Sequence, residues 1–144
     1  MASINERVHI RKLIFAGVLL FFFGLLNGMA IPSFTNPKLG LSAHLSAMQH
    51  GFVLILFGLI WSRLALSDKG LMWCYRLSVF SMYGIWLGLV LGAAWGTISG
   101  TPMAGAGFGT TQGKEIIVNL LLNTGAVAIV IAGAQILYGL AKSK

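Results

Sequence analysis

Acidic residues are almost missing from this chain of 144 residues: Glu6, Asp68 and Glu115 are the only three, and charged residues of both signs make up 9%. A water-soluble domain carries about 25% charged residues, so a soluble globular surface is excluded. Cysteine is nearly absent as well. Cys74 stands alone, which rules out a disulfide framework within one chain. What remains is apolar: 57% of the residues are hydrophobic.

A membrane helix needs about 20 mainly apolar residues, and four segments qualify, at roughly 13–31, 41–61, 71–96 and 114–140. The expectation is an all-α polytopic membrane protein, one domain over residues 1–144 built as a bundle of four transmembrane helices. The connections are short, leaving no segment for a receptor head or soluble catalytic unit, so any activity must use the bundle itself. A basic start before an apolar run also resembles a secretory signal. Against that, the run is long and has no Ala-x-Ala site before Pro32.

The net charge of +7 would suggest nucleic acid in a soluble protein, but here the distribution of the basic residues matters more. Arg7, Arg11 and Lys12 precede the first span, Arg63, Lys69 and Arg76 flank the second connection, and Lys142 and Lys144 end the chain. Only Lys38 and Lys114 fall in the first and third connections, so eight of ten basic residues lie on one side. The positive-inside rule puts that side, and both termini, in the cytoplasm. The implied place is a bacterial inner membrane, with lipid as the surrounding partner and no nucleic acid.

The third connection, Thr97 to Gly113, is rich in Gly, Thr and Ala and reads as a flexible loop able to act as a lid. It is not a phosphate loop. Gly109 and Gly113 are one residue too close, Lys114 is followed by Glu115 rather than Ser or Thr, and no strand precedes it. Gly84, Gly88, Gly92 and Gly96 recur every four residues on the third span, and Gly24 and Gly28 form a second pair on the first. Such spacing lets helix backbones approach closely, either inside the bundle or between copies in a homo-oligomer.

Polar residues gather at the outward ends of the spans: Asn27 on the first, His44 and His50 on the second, and Glu115, Asn119 and Asn123 opening the fourth. Apart from Gln135, the inner half has almost none. Polar and ionisable groups at membrane depth are expensive and mark candidate functional sites, and histidine binds metal well. Glu115, Asn119 and Asn123 share one helix face, and that face is expected to point at the histidines. His44 and His50, six positions apart, are about 120° apart around a helix with 100° per residue, so they cannot both hold one iron from the same helix. Each also has a plain structural reading, a hydrogen bond to a neighbouring helix. Tyr83 and Trp86 read first as core or interface filler.

The segment Asn36-Pro37-Lys38-Leu39-Gly40-Leu41-Ser42-Ala43-His44-Leu45, with Gly51 beyond it, resembles the hydroxylaminobenzene mutases. So do Gly24-Leu25-Leu26-Asn27-Gly28, Gly58-Leu59-Ile60-Trp61 and Ala93-Ala94-Trp95-Gly96. The similarity covers nearly the whole chain. A more distant resemblance reaches the styrene oxide isomerases, which share the alanine–histidine pair in the second helix. That resemblance implies a homotrimer holding haem b at subunit interfaces, with His44 as the axial ligand of an iron that acts as a Lewis acid without net redox turnover. A helping asparagine of the isomerases aligns with His50, and their catalytic tyrosine falls near Leu91, where this chain departs from the pattern.

For a mutase the implied reaction moves the hydroxyl of an N-aryl hydroxylamine, a small aromatic substrate of the aromatic-degradation type, onto the ring to give an aminophenol. His44 would hold the haem, His50 or Glu115 would manage protons, and Asn27 or Asn119 would orient the arene. Such a greasy substrate partitions into the bilayer and enters laterally. Aryl epoxide isomerisation is the alternative activity, and a haem b electron carrier with two axial ligands is the competing class. A small transporter fits less well, because the inner half lacks a polar path and paired discontinuous spans are missing.

Overall fold

The computed structural model describes residues 4–143. It is all-helical, with four long helices: α1 (Ile4–Ala30), α2 (Pro37–Ile60), α3 (Asp68–Trp95) and α4 (Gln112–Lys142). Each is long and apolar enough to cross a membrane. One turn of 3-10 helix closes α1 (Ile31–Ser33) and another closes α2 (Trp61–Arg63). Three helices start well before the apolar segments read from the sequence, α1 by about nine residues. Hydropathy marks where hydrocarbon begins, whereas backbone hydrogen bonding continues outward through charged turns such as the one holding Arg7, Arg11 and Lys12.

The helix starts are specified locally. Asn36 caps α2, its side-chain oxygen accepting from the amides of Lys38 and Leu39 at 3.0 and 3.2 Å, with Pro37 at the first helical position. Ser67 caps α3 through the Gly70 amide. Gly96 ends α3 with φ +67°, a left-handed conformation that glycine adopts without strain.

Packing follows chain order: α1 lies on α2, α2 on α3, α3 on α4, and α1 reaches α3 only in part. Glycine makes the first and last of these contacts close. A Cβ at Gly51 would stand 2.7 Å from the Gly17 carbonyl oxygen, and one at Gly24 would meet Ala47 and Met48. On the other hairpin, Gly88 faces Leu121 and Leu122 of α4. Gly24, Gly28, Gly84 and Gly88 therefore face seams inside the subunit, where dispersion between closely spaced backbones takes the place of the missing hydrophobic driving force. The core along α2 and α3 buries Leu13, Leu20, Leu54, Trp61, Cys74 and Met82.

The long connection after α3 is clamped. Asn36, fully buried, donates from Nδ2 to the Ala104 carbonyl at 2.9 Å, and its own amide donates to Ala93 at 2.9 Å. Thr35 adds a bond to the Ala94 carbonyl at 2.7 Å. The connection Thr97–Gly113, expected as a flexible loop able to act as a lid, is tied to the first connection at Ala104, although most of it stays exposed.

Candidate active site

His44 stands in the outer half of α2, over the seam with α1. Its Nδ1 lies 2.7 Å from the Gly24 carbonyl oxygen. A carbonyl only accepts, so Nδ1 carries the proton, and in the neutral ring the lone pair sits on Nε2. Gly28 makes room for the ring: a Cβ there would stand 2.8 Å from Nδ1 and 2.9 Å from Cε1. Nε2 has no hydrogen-bond partner among the described residues and is not sealed inside the subunit. Its helix neighbours Leu41 and Leu45 are about half exposed, so the surface beside His44 is apolar.

His50 repeats the arrangement toward the other side. Its Nδ1 lies 3.2 Å from the Met82 carbonyl of α3, to which it donates, and 3.2 Å from the Ser46 hydroxyl. The two imidazoles thus bond to opposite neighbours, α1 and α3, as their angular separation requires. Each makes the helix-to-helix hydrogen bond of its plain structural reading, and each still keeps Nε2 for chemistry.

The remaining candidates are dispersed. Asn27 is buried and donates from Nδ2 to the Gly40 carbonyl at 2.9 Å, fastening the outer ends of α1 and α2. Glu115 accepts from the Ile98 amide at 2.9 Å, the Ser99 amide at 3.0 Å and the Ser99 hydroxyl at 2.8 Å. Asn119 donates to the Ser99 hydroxyl at 2.6 Å. Asn123 turns back to the Asn119 carbonyl of its own helix. The polar face of α4 therefore binds the loop after α3 and does not reach the histidines, because α4 packs on α3 and not on α2. Asn36 and Ser99 were not among the sequence candidates, although the Asn-Pro pair at 36 and 37 is a recognisable helix-start signal.

Tyr83 and Trp86 bind the middle of the subunit together. The Tyr83 hydroxyl donates to the Ala16 carbonyl at 2.8 Å, and Trp86 stacks on Phe23 with ring centroids 5.4 Å apart and planes 8° from parallel. They pack α3 against α1, the filler role expected of them. The Trp86 indole nitrogen is buried without a hydrogen-bond partner.

A family model described as styrene oxide isomerase matches residues 9–141, a span that enters all four helices. Hydroxylaminobenzene mutase HabB of Ectopseudomonas oleovorans is 31% identical over 131 residues, covering 90% of this chain and 80% of that protein. Hydroxylaminobenzene mutase HabA of the same organism is 36% identical over 108 residues, covering 74% of this chain and 80% of its own length. No solved structure matches.

Proposed function

The chain belongs to the styrene oxide isomerase family and is a multi-pass membrane isomerase, and from that premise we propose that it rearranges an N-aryl hydroxylamine to an aminophenol with haem b held by His44. Two relatives similar over most of the chain are named as hydroxylaminobenzene mutases, which favours this substrate class over an aryl epoxide. Leu91, where the isomerases carry their tyrosine, argues the same way.

The observation that carries the haem reading is the tautomer of His44. A backbone carbonyl on Nδ1–H is the arrangement that fixes ring orientation and raises the basicity of a metal-ligating imidazole. No group of three His, Cys, Asp or Glu side chains able to hold a metal ion occurs among the described residues. A single outward nitrogen suits a metal that brings its other ligands with it, as porphyrin iron does.

Haem b bound there would supply a Lewis-acidic iron for the substrate oxygen. The protein's part is to hold and to move protons. In the rearrangement the N–O bond breaks, a C–O bond forms on the ring, and the proton displaced from that ring carbon is returned to nitrogen, so atoms balance without an outside oxidant. His50, with Nδ1–H fixed on Met82 and turned away from His44 of its own chain, would offer Nε2 from a neighbouring copy as the base that takes the proton and gives it back. Asn27, Glu115 and Asn119 act as positioning residues in this reading, because their polar atoms already hold Gly40, Ile98 and Ser99.

His44 opening outward also suits a homotrimer, in which a second copy supplies the far wall of the pocket. The bias of the basic residues supports cytoplasmic termini, in keeping with a place in a bacterial inner membrane. An electron carrier would have to pair His44 with His50 or another ligand from a neighbouring copy, because His44 and His50 of one chain are tied to opposite neighbours. The test is the absorption spectrum of detergent-purified protein, oxidised and reduced, beside His44→Ala, together with turnover of phenylhydroxylamine. The reading expects a Soret band that is lost in the variant, a ferric form that accepts an added ligand, and loss of aminophenol formation. Full haem occupancy in His44→Ala would overturn the ligand assignment, and low-spin haem that accepts no ligand would favour the carrier.

A further inference from the structure

A cleft of about 740 Å³ lies between α1 and α3 at the end of the subunit that carries both termini, away from His44. It exists because α1 and α3 both pack on α2 and touch each other only in part. Phe15, Leu19, Val79 and Tyr83 give it an apolar wall, and Arg11 and Lys12 stand at its rim. The Tyr83 hydroxyl, bonded to the Ala16 carbonyl at 2.8 Å, fixes its deep end. Phe15 is 68% exposed, a ring left for something other than this chain to cover.

Charge distinguishes the occupants. Arg11 and Lys12 are exposed, neither forms an ion pair among the described residues, and no carboxylate lines the cleft. On the other flank of α1 a groove of about 560 Å³ has Arg7 and Arg11 beside Ile10, Ile14 and Val18. A second copy of this chain offers two carboxylate side chains at this end, Glu6 and Asp68, against six cationic ones, Arg7, Arg11, Lys12, Arg63, Lys69 and Arg76. Burying Arg11 and Lys12 against such a cation-rich surface is strongly unfavourable. An anionic lipid brings the missing charge. The dimensions agree too: the eight helical steps from Arg11 to Leu19 span about 12 Å, close to the ~15 Å hydrocarbon depth of one leaflet.

We propose that this cleft binds one anionic phospholipid from the leaflet on the side of the termini. Its phosphate sits on Arg11 and Lys12, and one acyl chain runs along Phe15, Leu19 and Val79 toward Tyr83. Basic pockets between membrane helices recognise lipid headgroups in this way, each cation near the surface contributing about fivefold in affinity. The site is independent of the haem reading.

The experiment titrates detergent-purified protein with phosphatidylglycerol and, in parallel, with phosphatidylcholine of the same chain length, counting bound lipid by native mass spectrometry. The expected result is one phosphatidylglycerol retained per chain in preference to phosphatidylcholine. The double variant Arg11→Gln/Lys12→Gln should bind phosphatidylglycerol about thirtyfold more weakly with phosphatidylcholine binding and isomerase turnover unchanged. Ala16→Phe, which fills the cleft and leaves both cations, should weaken both lipids. Equal retention of the two lipids by the wild type, or phosphatidylglycerol binding indifferent to both variants, would overturn the proposal. A change in oligomer mass in Arg11→Gln/Lys12→Gln with lipid affinity unaltered would assign the cleft to a second copy instead.

Discussion

Replacing Gly28 by alanine puts a methyl group where the His44 imidazole now lies. The new carbon would stand 2.8 Å from Nδ1 and 2.9 Å from Cε1, whereas an unstrained contact needs about 3.5 Å. The ring must therefore retreat by about 0.6 Å, and a comparable stretch of the 2.7 Å bond to Gly24 takes it past the useful range for a hydrogen bond. Losing the partner that orients a metal-ligating histidine lowers metal affinity by about 10–100-fold, or about 1.4–2.8 kcal/mol. Global stability should move far less. The lost hydrogen bond is worth about 1 kcal/mol net, and the helix gains about 1 kcal/mol when alanine replaces glycine. The assay is a haem titration of the haem-free protein followed at the Soret band, with thermal unfolding measured on the same sample. Gly133→Ala is the control, because a Cβ there meets nothing within 4 Å; it should keep haem affinity and raise stability by up to about 1 kcal/mol. Haem affinity of Gly28→Ala within about twofold of wild type would refute the argument that the bond to Gly24 sets the ligand.

Gly51→Ala should act on the fold. Its Cβ would press on the Gly17 carbonyl oxygen at 2.7 Å and the Phe21 amide nitrogen at 2.9 Å, backbone atoms that cannot turn aside, so α1 and α2 must separate at a cost of about 1–3 kcal/mol. Unfolding in increasing dodecyl sulfate measures it, and a wild-type midpoint would contradict the close-seam account. Glu115→Ala removes the acceptor of the Ile98 and Ser99 amides. Exchange of those two amides with deuterated water should speed up about tenfold, consistent with roughly 1–2 kcal/mol of lost hydrogen bonding to a charged group. Unchanged exchange there would mean that the loop is held from the Asn36 side alone.

Composition and hydropathy made the four helices legible, because a bilayer tolerates little else. Neighbour relations were harder to read. Lipid is as apolar as leucine, so an apolar helix face does not announce which partner it meets; the glycine stripe of α3 favours the bundle interior without excluding a second copy, and the structure sets α4 against Gly88. The misplaced polar face of α4 has a related cause. Residue spacing showed correctly that Glu115, Asn119 and Asn123 share a face, but a buried polar group takes the nearest partner, and for Glu115 that is the backbone at Ile98 and Ser99. His44 was visible because its cost at membrane depth is independent of neighbours. Its tautomer was not visible, since it depends on a carbonyl twenty residues away on another helix.

Chain-order packing bears on how the protein is made. As the polypeptide leaves the ribosome, α1 and α2 can close their seam at Gly17 and Gly51 as soon as the second helix has entered the bilayer, with no later segment required. The α3–α4 pair can form the same way afterwards. Contacts between the pairs must wait: Tyr83 with Ala16, His50 with Met82, and Asn36, which emerges with the first pair but has its partners at Ala93 and Ala104, on the far side of the third span. Until that span has crossed, a polar side chain at the outer rim waits in water or headgroups, and its capture by the third connection joins two separately inserted hairpins into one unit. The packing order therefore favours two short local steps followed by a late joining of the pairs, part of which closes beside the helix turn that leads to His44.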